Sequence, residues 1–224
     1  MRKTTIIACL ATAALAVLWL GAPPPLAAQP AAGGDAGATA VPHMTRAAAL
    51  AYLHDQGLDL AVYATNLVSP MFSGEVETVE ALLAAGVDPN DRTLPQPALQ
   101  LAAATCSGGR VPEQVTVSLI EVLLAHGAKV NPPGASELSP LMVAVQQCPA
   151  AVVRRLVRAG ADLNFRTSLG IAPLGMALIT RNFDAAGALI DAGARLSPEA
   201  ASKLLTGKND DPRLVALVKR ARAK

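Results

Sequence analysis

Residues 79–90 read VEALLAAGVDPN, and the chain writes nearly the same phrase three more times. Residues 120–131 read IEVLLAHGAKVN, residues 153–164 VRRLVRAGADLN and residues 186–197 AGALIDAGARLS. Gly127 and Gly160 are 33 residues apart, and so are Gly160 and Gly193. Gly86 to Gly127 is 41, one period with eight residues inserted. A fixed period in this range marks a stacked solenoid, whose units each bury their apolar face against a neighbour.

Each unit reads as a pair of helices. In SPLMVAVQQC (139–148), Ser139 is a good N-cap and Pro140 suits the first helical position. Leu141, Val143, Ala144 and Val145 make that helix a buried one. In AAVVRRLVRAG (150–160), Val152, Val153, Leu156 and Val157 form the apolar stripe of a second helix, and Gly160 ends it in a left-handed cap. An extended turn, ADLNFRTSLGIA (161–172), leads to Pro173, where APLGMALITR repeats the grammar.

These units resemble ankyrin repeats. The family phrase T-P-L-H-x-A survives as Ser139-Pro140-Leu141-Met142-Val143-Ala144, as Ala172-Pro173-Leu174-Gly175-Met176-Ala177, and as Pro97-Ala98-Leu99-Gln100-Leu101-Ala102. The closing LLxxGAxxN phrase follows the family more closely. The resemblance covers residues 65–197 and implies an all-α solenoid of about four 33-residue helix-turn-helix units (65–90, 91–131 with an insertion near 105–118, 132–164 and 165–197) with helical caps.

The ends depart from the pattern. The first unit keeps Thr65, Leu67 and Gly74 but places Pro70 within its inner helix, which predicts that this helix is shifted or broken. Residues 198–224 offer a helix pair that starts at Ser197-Pro198 and lacks a closing GA phrase, as a C-terminal cap would. MTRAAALAYLHDQG (44–57) supplies an amphipathic helix to an N-terminal cap at 43–64.

Ahead of the cap, Arg2 and Lys3 precede the uncharged run Ile6–Leu20 and small residues near Ala28, the layout of a secretory signal peptide over residues 1–28. Cys9 precedes most of the apolar stretch, which argues against lipidation. QPAAGGDAGATAVP (29–42) has no large apolar residue before Val41 and is expected to be a flexible linker. The expectation is export to a periplasm, with an extracellular or N-terminally anchored protein as alternatives. Contact with a membrane is expected only if the N-terminal segment stays uncleaved. Arg2 and Lys3 leave with the signal, so the 19 Lys+Arg become 17 and balance the 17 Asp+Glu. A neutral chain lacks the basic footprint of a nucleic-acid binder.

Without Cys9, two cysteines remain. Aligning Leu99 with Leu141 sets Cys106 opposite Cys148, which in an oxidising compartment suggests a disulfide. Stacked helices about 8–10 Å apart would hold strictly equivalent positions beyond bridging range. The inserted residues could close that gap, and two buried thiols are the other reading.

No catalytic motif emerges. His126 sits at a helix end, His54 on the capping helix and His43 with the linker, and no two are spaced to bind a metal from one helix. CSGGR (106–110) lacks the context of a phosphate loop and reads as a flexible surface loop. Glu75, Glu77 and Glu80 read as solvated charges on a helix exterior. No metal, cofactor or catalytic residue is assigned. An enzyme built on the 105–118 insertion would have only Arg110 and Glu113 to work with.

What a solenoid offers is a concave surface. The fourth and eighth positions of each inner phrase face it: Gln100 and Ala104, Met142 and Gln146, Gly175 and Ile179. Turn tips add Arg92, Leu94, Glu137, Leu138, Arg166 and Leu169, unless the leucines fold back to seal their turns. The expected function is non-enzymatic binding of a protein partner, as proteins of similar fold generally show. A protective, immunity-type partner of an exported enzyme or toxin is the alternative.

Overall fold

The computed structural model describes residues 43–58, 67–132, 138–205 and 211–222, and these contain eleven α-helices and no strand. Helix α1 (Arg46–Asp55) precedes four pairs: α2 (Val68–Ser73) with α3 (Val76–Ala85), α4 (Ala98–Ala104) with α5 (Glu113–Ala125), α6 (Pro140–Gln147) with α7 (Ala150–Arg158), and α8 (Pro173–Ile179) with α9 (Phe183–Asp191). A last pair, α10 (Pro198–Leu205) and α11 (Pro212–Arg222), closes the chain. The signal and linker segments lie outside the described residues, as do Thr65 and Glu137. No described helix is long and apolar enough to cross a membrane.

The helices form two layers. The short inner helices α2, α4, α6, α8 and α10 pack in that order, and the outer helices α3, α5, α7, α9 and α11 run behind them in register. Helix α1 covers the first outer helix, α3. Leu82, Leu99, Leu119, Leu123, Leu141, Leu156 and Leu174 are fully buried between the layers. Alanines such as Ala102, Ala144 and Ala177 let the inner helices approach closely.

Each quoted phrase ends its outer helix in the same way. Gly86, Gly127, Gly160 and Gly193 have φ between 82° and 117°. In each, the glycine N–H donates to the carbonyl three residues back and the next N–H to the one five back, as in Gly160 to Val157 (3.0 Å) and Ala161 to Leu156 (3.1 Å). This double closure is a Schellman cap, and the buried residues that follow the glycines, Val87, Ala128, Ala161 and Ala194, complete it.

The asparagine that closes the phrase joins one unit to the next. Asn90 donates to the Gly127 carbonyl and accepts from the Lys129 N–H, both at 2.9 Å. Asn131 makes the same pair one unit on, with the Gly160 carbonyl at 2.9 Å and the Asp162 N–H at 3.0 Å. Asn182 caps α9 through the Ala185 N–H and donates to the Cys148 carbonyl at 2.8 Å, at the end of α6. In the fourth phrase a serine replaces the asparagine, and Ser197 accepts the Ala200 N–H as α10 begins. Helix α6 starts as its sequence predicts, with Ser139 accepting the Met142 N–H at 3.2 Å ahead of Pro140.

The helix containing Pro70 is shifted. It begins at Val68, so the proline falls in the first turn, where no backbone N–H is needed, and it has only 6 residues.

The insertion is structured, which corrects the expectation of a flexible loop. Part of it lengthens α5 to 13 residues against 9 in α7 and α9, and part forms a single 3₁₀ turn at Ser107–Gly109. The buried hydroxyls of Thr105 and Thr116 meet at 3.0 Å, and the Ser107 hydroxyl donates to Gln147 Oε1. Cys106 and Cys148 form a disulfide with Cα atoms 5.2 Å apart. They escape the spacing of helix axes because neither is within a helix: Cys148 is the extended residue ending α6, and Cys106 follows the Thr105 cap of α4.

Two outcomes follow from this architecture. A Cβ at Gly160 would meet nothing within 4 Å, so Gly160→Ala carries only the cost of a left-handed alanine. That cost is about 1 kcal/mol, read as a melting temperature lower by about 2–4 °C in a circular-dichroism melt. The disulfide closes a 42-residue separation, for which chain entropy gives about 4 kcal/mol in unfolded-state constraint. The Cys106→Ser, Cys148→Ser double variant should therefore lose up to that much stability in urea unfolding, and in the native chain both thiols should be alkylated only after reduction.

Candidate functional site

The inner layer and the turns that lead into it expose fewer residues than the repeat register suggests. Gln100, expected on the contact surface, is buried with 1% exposure because its amide reaches along the stack and donates to the Leu138 carbonyl at 2.9 Å. Met142 is also buried, on the central inner helix flanked by α4 and α8. Leu94 is buried and seals its own turn. These three are corrections: their side chains hold the scaffold and are not available to a partner. Leu138 and Gln146 are half-buried, Arg92 and Arg166 are exposed, and Glu137 is outside the described residues. Beside Arg92, Asp91 accepts the Thr93 N–H at 2.8 Å, which holds its carboxyl below the ordinary carboxylate range and fixes the turn.

Large apolar side chains are exposed toward both ends of the described residues, Leu50 and Phe72 on α1 and α2 and Leu169, Ile179 and Leu205 toward the C-terminus, where the two most exposed lie. Leu169 is 83% exposed and Ile179 is 55% exposed. Leu169 stands at the tip of a tight turn: the Thr167 N–H donates to the Ile171 carbonyl at 3.1 Å, and the Gly170 N–H to the Thr167 carbonyl at 2.8 Å. Arg166 braces the same turn, donating to the Gly170 carbonyl at 3.1 Å. Ile179 is the last residue of α8. Both side chains line a groove of about 400 Å³ between the fourth repeat and α10. Arg166, Arg195 and Lys203 also line it, against one carboxylate, Glu199. The groove is thus apolar with a positive rim, and its Leu169 edge is held rigidly by the turn. Arg195 and Lys203 were not singled out in the sequence, because only the packing of α10 on α8 brings them beside the turn.

The carboxylates at the other end also need correction. Glu75 and Glu77 are exposed as expected, but Glu80 is buried with 4% exposure. Its Oε1 accepts the Met44 N–H at 3.1 Å and its Oε2 lies 3.1 Å from His126 Nε2. His43, expected with the linker, packs its ring edge-on against that of His126, with centroids 6.1 Å apart. Three segments far apart in sequence thereby place two imidazoles and a carboxylate together. His54 is exposed on α1 and takes no part.

A family model of ankyrin repeats, in three copies, matches residues 66–167. No curated protein matches the chain. The matched segment ends before α8, yet α8 and α9 carry the same glycine cap at Gly193, so the structure continues the repeat by one unit. Ankyrin repeats are generally protein-interaction modules and typically non-catalytic scaffolds. The period, the layered helix pairs and the matched model agree that residues 66–167 are ankyrin repeats.

Proposed function

We propose that this chain is a non-enzymatic, exported binding protein that captures a protein partner in the groove between its fourth repeat and α10. The observation that carries the reading is the pair Leu169 and Ile179, large apolar side chains left in water on one groove of a rigid scaffold. Leaving such groups exposed wins back its solvation cost only when something covers them, and a preformed surface loses little conformational freedom on binding. The cations on the rim favour a partner segment that is apolar with acidic flanks. Arg92, exposed on a turn of an earlier repeat, is a further cation offered to the partner.

Export is supported by the layout of residues 1–28 and by the Cys106–Cys148 disulfide, since such bonds persist in oxidising compartments. A periplasmic location is the proposal that fits both.

Affinity capture from the native compartment, with the full chain as bait, tests the reading. The Leu169→Asp, Ile179→Asp variant alters solvated positions and should melt within about 2 °C of the parent while losing capture by tenfold or more, as removal of apolar anchors does. Charge reversal at Arg92 and Arg166 should weaken capture less and reduce its sensitivity to salt. Undiminished capture by the folded Leu169/Ile179 variant would exclude the groove.

A further inference from the structure

We propose that His43, Glu80 and His126 form a binding site for a divalent transition metal of the zinc class. Each residue offers one ligand atom, and all three atoms lie within 4.8 Å of one another. Two imidazole nitrogens and one carboxylate oxygen suit zinc, which takes mixed nitrogen and oxygen donors, whereas calcium and magnesium prefer oxygen alone. A tetrahedral ion with bonds of about 2.0–2.2 Å holds its ligand atoms about 3.3–3.5 Å apart. Glu80 and His126 are already at 3.1 Å. Closing the remaining gap, at most about 1.5 Å, falls to His43, an exposed residue ahead of α1 that is free of helical constraint.

The surroundings orient the ligands. Glu80 is buried on α3 among core residues, and the Met44 N–H pins its Oε1, turning Oε2 toward His126. His126 is the residue that caps α5, and its side chain is 20% exposed, so solvent reaches the site from the side of the two rings. A hydrogen bond that fixes a ligating carboxylate is the support a metal centre generally needs. Three protein ligands leave a fourth position open to water or to a donor from a bound molecule. The bound ion would clamp the segment before α1 to the first and second repeats, fastening the N-terminal cap to the stack. A hydrogen-bonded Glu80–His126 pair serving only that packing would not require His43.

His43→Ala therefore separates the two roles, since it leaves the Glu80–His126 pair in place. The probe is ZnCl₂, titrated calorimetrically into chelator-treated full chain carrying no affinity tag. The expected result is one equivalent of zinc bound with micromolar or tighter affinity, and a melting temperature raised by about 5 °C or more at saturating zinc. His43→Ala and Glu80→Gln should each weaken zinc binding by about tenfold or more. The metal-free melting temperature of His43→Ala should match that of the parent. No saturable zinc binding by the parent chain, or a weakening by His43→Ala of less than tenfold, would overturn the assignment.

Discussion

The structure depends on one constraint: a pair of helices of this size cannot bury its apolar surface alone. Each inner helix has 6 to 8 residues, and an isolated helix needs roughly 12–15 residues even to be marginal in water. The pairs exist because each lies between two others. Leu99, Leu141 and Leu174 occupy equivalent places on three successive inner helices, and each is fully buried by its neighbours. The energy is therefore held in the interfaces between units, and the stack is a chain of nearest-neighbour contacts.

Asn90 and Asn131 serve those interfaces directly. Each amide satisfies one carbonyl and one N–H of the following turn, joining Asn90 to Gly127 and Lys129 and Asn131 to Gly160 and Asp162. The glycine that ends a helix is thus also the acceptor that positions the next unit. Glu121 and Arg155, 3.1 Å apart, add a partly exposed link between α5 and α7. The disulfide adds a covalent link between the second and third units, where the eight-residue insertion interrupts the period.

The ends of the stack carry what the repeats do not. At the C-terminal end, α10 and the turn at Thr167–Ile171 border a groove whose Leu169 and Ile179 remain in solvent. At the N-terminal end, α1 covers α3, and the residues just before α1 approach the second repeat through Glu80 and His126. Met142 is buried near the start of α6, whereas Ile179, the last residue of α8, is left exposed at the groove.

The elements were legible in the sequence because their signals are local. A Ser-Pro start, an apolar stripe and a glycine with its following apolar residue act over at most five positions, so their repetition every 33 residues specifies the helix pairs and their order. Pro70 likewise announced a displaced helix. Only tertiary structure decided which surface side chains remain free and which groups meet. Gln100 is buried by a hydrogen bond to a residue 38 positions away, and Glu80 meets a histidine 46 positions on and a backbone N–H 36 back. Sequence spacing cannot register such meetings, because they depend on how far one unit is translated and turned against the next.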